Sequence, residues 1–593
     1  MSIEQYNLYE RDEPNLEGFE QDLYDDISAD EPWALIERFA ELERVSGSDD
    51  EVAAAEYITD RLDSLGVSYD RYDPNIWLSI PKEATLKTTA PIQKEFDAVK
   101  TVAFSKNGST AGEVAHVEPP ELNEGQLALN ASFDNLDEDI DGKIVLVEAN
   151  YLSREMIADI EAKGAKAIVG IQLHEDEPHE GIATPVWGAV PHPDEQDRVP
   201  DIIITNVSKT VGDELAELAA DGLELEVSAH APRKWAKCPV VVADIPGEAD
   251  PDDDDLVLLH GHYDSWWYGI ADNATGDAGM LELARVFNER RDELSRDLRV
   301  TWWPAHSTGR YGGSTWFATK FALEIDDRCV AQVNMDSPGA KDATEFQDMV
   351  SWMPEGNELC RTAIDDVCGK PAQENRLHRA GDASFNNIGV TGLFMLSSNI
   401  PADVREARGY HPVGGCGGNS NAWHLSTDTL DKADPDVLVR DIQVYATVLA
   451  RLLCEEVLPL DFQYTVERHR EIVDEYQEAA DDHVDLSPVA GDLADLEDAL
   501  TKFYEAIGAG EISSEAANET LKQVERRLVR ANYVSEGKFE QDPALNRPPY
   551  PRLAPAAELP DLTGDEYKFQ KVHLERAKND VRHELREALE TLE

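Results

Sequence analysis

At about 100–200 residues per domain, a chain of 593 residues reads as three or four domains rather than one. Acidic residues number 120 against 53 basic ones, a formal net charge of −67, which excludes duplex DNA, RNA and an anionic bilayer as partners for most of this surface. No apolar run approaches the roughly 18 residues of a membrane span, and the opening MSIEQYNLYERDEP lacks a basic region followed by an apolar core, so a cytoplasmic protein is expected.

The acidic charge is spread along the whole chain, and 11 Trp, 18 Tyr and 15 Phe are more aromatic mass than a disordered acidic protein carries, so the chain is expected to fold. A folded acidic chain with more Arg than Lys resembles the proteins of salt-accumulating halophilic archaea, where a Debye length of about 3 Å at 1 M salt relieves self-repulsion. Low salt should destabilise it. The cysteines at 238, 329, 360, 368, 416 and 454 are scattered with no CxxC pair, so they read as buried reduced thiols and a Cys-based zinc site is set aside.

Helical spacing runs from Glu31 to Gly66 (Ala34, Leu35, Phe39, Leu42, then Ala54, Tyr57, Ile58, Leu62, Leu65), followed by the strand signal VSYDRYDP. Residues 79–234 carry the strands KIVLVEA, KAIVGIQL and DIIIT, with the helix SREMIADIEAKGA between the first two, a pattern that predicts a compact inserted α/β module. From 235 to 460 the strands VVVADI, LVLLHG, RVTWWPA, VAQVNMD and TGLFMLS alternate with helical runs, as in a doubly wound sheet. Residues 461–593 have mainly helical periodicity, interrupted by RPPYPRLAPAAELP, and read as a helical appendage.

Ligands of open α/β sheets bind beyond the carboxyl ends of the strands. LVLL runs into His260-Gly-His262-Tyr-Asp264, VTWWPA into His306-Ser307 and VAQVNM into Asp336, while the loops carrying Asp272 and His424 are able to close the same crevice. Imidazoles and carboxylates meeting there are the ligands zinc prefers, with Asp264 spaced to orient His262 and Asp272 suited to bridge two ions about 3.5–4 Å apart. Cobalt or manganese also suit such N/O ligands.

GHYDSWWYGIADNATGDAGMLELARVF resembles the motif of the co-catalytic zinc aminopeptidases and glutamate carboxypeptidases, a His-x-Asp followed by a bridging Asp in an Asp-Asn loop. NMDSPG, GDASFNNIGVTGL and WHLSTDTLDKAD resemble that family's later ligand and Asp-x-x-Phe segments. The resemblance implies a metallopeptidase core made of residues 1–78 and 235–460, with His262, Asp272 and Asp336 in one metal site and Asp272 with His424 in most of a second. It further implies that 79–234 is a protease-associated domain and that 461–593 is a helical domain through which two copies pair.

One segment departs from the family. Where it has Glu-Glu, the general base followed by a metal ligand, this chain reads Ala305-His306-Ser307-Thr308-Gly309-Arg310, and no register supplies a carboxylate. Three outcomes are open: His306 is the base, His306 is a ligand, or the site is silent, since losing a general base typically costs about 10²–10⁴-fold in rate. The expected function is exopeptidase hydrolysis of a peptide or small amide at one or two zinc ions. The alternatives are a silent dimeric scaffold of transferrin-receptor type and single-zinc acyl transfer or cyclisation. Trp266, Trp267, Arg310 and Asp382 are expected to contact substrate, with core packing and a surface salt bridge as competing readings for the tryptophans and the arginine. Two lookalikes are discarded: the histidines of His174-Glu-Asp-Glu-Pro-His179 flank a helix-breaking Pro178, and no apolar strand leads into Gly418-Asn-Ser-Asn-Ala422 as a nucleophile elbow requires.

Overall fold

The computed structural model describes residues 7–593 apart from 12, 120–131, 134–135, 137, 150–151, 248–254, 349, 395–396, 411–415 and 546, and the side chains of 416 and 419. The apolar runs read from the sequence form a six-stranded sheet in the order Tyr69–Tyr72, Val240–Ile245, Asp297–Trp303, Leu256–His262, Cys329–Asn334, Gly392–Leu393. The last four strands are parallel, and the first two are joined antiparallel at one edge. Of the expected strand TGLFMLS only Gly392–Leu393 pairs, and positions 395–396 lie outside the described residues.

Burial of both faces explains why these strands are nearly continuous runs of apolar residues. Along Val240–Ile245, Val241, Ala243 and Ile245 enter the cluster beneath helices Thr275–Glu289 and Pro435–Cys454, whereas Val240 and Val242 pack on the opposite face with Phe317 and Phe385. That alternation is the two-residue period of a strand.

The insert is an eight-stranded sheet covering strands from Ala84–Ala90 to Glu224–Ala229, tied to the core by a two-stranded ribbon in which Asn75–Ser79 pairs with Arg233–Lys237. The helices Phe462–Ala480, Ser487–Gly508, Ser514–Tyr533 and Gly564–Leu592 share the large core cluster with the six-stranded sheet. Arg526 reaches the carbonyls of Ile325 and Asp326, and Glu525 accepts from the Thr391 amide beside the edge strand. The five described cysteines with described side chains are free, four of them buried.

The expected helix from Glu31 to Gly66 is broken into Asp30–Phe39 and Asp49–Leu65. Gly47, at φ +73°, turns the chain, and Ser48 caps the second helix by accepting from the Glu51 amide. The break has a function in the fold: it carries Arg44 and Ser46 to the mouth of the sheet. The buried Arg44 guanidinium donates to the carbonyls of Tyr263, Tyr268 and Gly269 and so pins the loop after His262.

Candidate active site

Strand register fixes the site. His262 pairs with Trp303 across the parallel strands and His260 with Asn334, so the loops carrying His306 and Asp336 leave the sheet beside His262. The Asp272 loop is fastened from two sides: Asp428 accepts from the amides of Ala271 (2.9 Å) and Asp272 (3.1 Å), and the Asn273 amide group donates to the carbonyls of His262 and Met335. Several loop residues here, including Ala305, Tyr311, Ser337, Asp382 and His424, hold positive φ. Such backbone costs of order 1–3 kcal/mol per residue and is concentrated at functional sites.

Nε2 of His262 lies 3.2 Å from Asp272 Oδ1 and 3.8 Å from Asp336 Oδ2. Asp272 presents its other oxygen to His424 Nε2 at 3.4 Å. His262, Asp272 and Asp336 form the one cluster of three such ligands among the described residues, and all three are buried. Within it His262 Nε2 and Asp272 Oδ1 are sealed from solvent with no hydrogen-bond partner among the described residues. The two atoms face each other at 3.2 Å without hydrogen-bond geometry, and a buried imidazole lone pair set against a carboxylate is costly unless a proton or cation lies between them, so the donor set fits a borderline divalent ion such as zinc.

Electrostatics point the same way. Burial disfavours charge on His262, yet Asp272, Asp336 and Asp264 together push its pKa well above the usual imidazole value. A field that would retain a proton on His262 is one that attracts a divalent cation in its place. Burial raises Asp336 to about 6, helped by the charge of Asp272, whereas for Asp272 the neighbouring imidazoles, His262 first, overcome burial and hold its carboxyl below the ordinary range. Burial and then His179 push His424 well below the usual imidazole value, leaving it neutral, as a ligand must be.

Next to the cluster, the His306 ring stacks on His262 with centroids 3.8 Å apart. His306 Nδ1 is 2.7 Å from Asp382 Oδ2. The three-ligand cluster does not include His306, and its Nε2 is the nitrogen that Asp382 leaves available.

Several expectations are revised by these contacts. His262 Nδ1 meets the Asp264 backbone carbonyl at 3.0 Å and its carboxylate at 3.8 Å, while the carboxylate accepts from the amides of His306 (2.9 Å) and Ser307 (3.3 Å) and from the Ser46 hydroxyl. Asp382 does not face substrate, because its oxygens are taken by His306 and by Ser314 Oγ (2.6 Å). Trp266 packs in the insert's core and also brings its ring to 5.9 Å from that of His424, at the edge of the site, whereas Trp267 lies under Lys100 at 4.8 Å. Arg310 is 4% exposed, which removes the surface salt bridge; its guanidinium sits 4.5 Å from the Tyr311 ring.

The structure also brings in residues the sequence did not single out. His179, discarded with its false zinc-helix motif, stands in the wall of the site with its ring 5.0 Å from that of His424. Glu177 holds the loop after His424 by accepting from the amide and hydroxyl of Ser426, and its own charge is met by Lys100 at 2.8 Å. No spacing rule links 177–179 to 424–426; only the packing of the insert on the core does.

Residues 240–449 match the model of peptidase family M28. A probable glutamate carboxypeptidase of Arabidopsis thaliana is 25% identical over 328 residues, 51% of this chain and 45% of that protein. A glutamate carboxypeptidase 2 homolog of Caenorhabditis elegans is 30% identical over 120 residues, 20% of this chain and 15% of that protein. The alignments thus span less than half the length of these curated relatives. Among solved structures, an aminopeptidase from Aneurinibacillus sp. strain AM-1 superposes with a TM-score of 0.54 at 20% identity, covering 73% of this chain and 96% of that one. A zinc aminopeptidase from Bacillus subtilis does so with a TM-score of 0.53 at 17% identity, covering 72% and 96%. The family match thus covers residues 240–449, and the solved structures share the fold of this chain.

Proposed function

We propose that the chain is a zinc-dependent exopeptidase of aminopeptidase type, acting on peptide or small amide bonds, with one ion held by His262, Asp272 and Asp336. The observation that carries this reading is the buried three-residue cluster in which His262 Nε2 and Asp272 Oδ1 face each other at 3.2 Å without hydrogen-bond geometry. A divalent ion held there would supply Lewis acidity to the scissile carbonyl. His306 is the general base: Nδ1 is engaged by Asp382, so Nε2 takes the proton of the attacking water and returns it to the leaving amine. Asp264 holds the His306 and Ser307 amides in place, and Arg310 is the candidate clamp for a substrate carboxylate.

The test measures zinc per protomer and turnover on a panel of aminoacyl anilides in high salt. Wild type should bind zinc and hydrolyse part of the panel, and Asp272→Ala should do neither; a wild type that binds no ion overturns the reading. One observation favours the silent-scaffold alternative, namely that positions 306–308 carry no carboxylate. That alternative predicts zinc binding without turnover, or neither.

In the same reading, 1–78 and 235–460 are the peptidase core, 79–234 is a protease-associated insert, and 461–593 is a helical domain that pairs two copies. The helix Gly564–Leu592 supports pairing by exposing Phe569 and Val572, and light scattering in high salt tests it. Among the described residues no helix is long and apolar enough to cross a membrane. A net charge of −67 supports a halophilic, cytoplasmic setting, for which the unfolding temperature should climb with KCl concentration.

A further inference from the structure

A chain of buried hydrogen bonds runs from the insert to His306. Trp187, on the insert side, donates through Nε1 to Ser384 Oγ at 2.8 Å, Ser384 Oγ is 2.9 Å from Ser314 Oγ, and Ser314 Oγ donates to Asp382 Oδ1 at 2.6 Å. Asp382 Oδ2 is in turn 2.7 Å from His306 Nδ1. Trp187, Ser384, Ser314 and Asp382 are each at most 4% exposed. Trp187 is gripped on both sides, its ring 4.1 Å from that of Tyr311 and 3.7 Å from the Arg379 guanidinium, and Tyr311 meets the His306 ring edge-on at 4.8 Å. Backbone bonds follow the same line, with the Gly188 amide donating to the Arg310 carbonyl at 2.7 Å.

We propose that Asp382 is the positioning residue that fixes the orientation and tautomer of His306, and that the insert takes part in the same device by anchoring Asp382 through Trp187, Ser384 and Ser314. The inference rests on the reading of His306 as base. A carboxylate accepting from Nδ1 leaves the proton on that nitrogen and the lone pair on Nε2, the state a base needs. Because Ser314 occupies the second oxygen of Asp382, the carboxylate cannot rotate away, and because Ser314 is itself met by Ser384 and Trp187, the orientation is set from outside the peptidase core. The insert is thereby more than a cover over the cleft.

The experiment compares wild type with Asp382→Asn, Ser314→Ala and Trp187→Phe. It measures zinc per protomer, KM and kcat on the best anilide, and the 15N shifts of the His306 ring in histidine-labelled protein, assigned with His306→Ala. Expected for Asp382→Asn are unchanged zinc and KM, a fall in kcat of about 10- to 100-fold or more, and loss of the Nδ1–H pattern of His306. Ser314→Ala and then Trp187→Phe should act in the same direction with diminishing size. The proposal is overturned if Asp382→Asn leaves the His306 shifts as in wild type, or if it lowers zinc content and raises KM while kcat holds. Should wild type hydrolyse nothing, the base assignment fails by that result, and the 15N comparison, which needs no turnover, still decides whether Asp382 positions His306.

Discussion

The two sides of Asp272 differ. On the Oδ1 side, His262 and Asp336 close a three-ligand cluster carried by the end of strand Leu256–His262, the loop after Cys329–Asn334 and the loop holding Asp272. On the Oδ2 side, His424 stands at 3.4 Å with no third ligand in a comparable cluster among the described residues, and its neighbours are His179 and the Glu177 loop of the insert. Adjacent parallel strands in register place His262 beside the loop of Asp336, and Asp428 and Asn273 fasten the Asp272 loop to them. The second side is built by docking one region of the chain on another. The lesson is that a carboxylate flanked by histidines on both sides does not by itself specify two ions: on the Oδ2 side the neighbours of Asp272 are the rings of His424 and His179.

Substitutions on either side separate the two halves. Asp272→Ala has the largest expected effect, since it removes the residue both sides share; bound zinc and turnover should both fall to background by elemental analysis and anilide hydrolysis. His306→Ala comes next, with zinc retained and kcat reduced by about 10²–10⁴-fold. Loss of zinc in that variant would instead make His306 a ligand. Asp264→Asn should lower kcat about 10- to 100-fold by loosening the 306–307 amides while zinc affinity holds, and a fall confined to affinity would return the carboxylate to its expected role as orienter of His262. The smallest effect is assigned to His424→Ala, which should leave the ion count per protomer unchanged; a drop in that count would mean that the Oδ2 side holds an ion of its own.

Much of the Oδ1 side was legible in the sequence. His262, Asp272 and Asp336 follow apolar strands or a recognisable loop motif, and strand ends of an open sheet converge by construction. What could not be read is tertiary. The helix break that delivers Arg44 and Ser46 was hidden because helical spacing continues on both sides of Gly47. Asp264 was assigned by a two-residue spacing that holds for its carbonyl and not for its carboxylate. Trp266 and Trp267 are adjacent in sequence, but the first reaches the His424 ring while the second turns to Lys100 of the insert, because neighbours in sequence do not share a facing in an irregular loop. His179 was read only within a false zinc-helix motif and Trp187 lies in no motif, and only the docking of the insert on the core brings them to the site.

The central claim is a single divalent ion at His262, Asp272 and Asp336. Counting zinc per protomer at saturation in high salt, for wild type and His424→Ala side by side, tests it most directly. The account predicts about one ion in each; none in wild type, or two falling to one when His424 is removed, would contradict it.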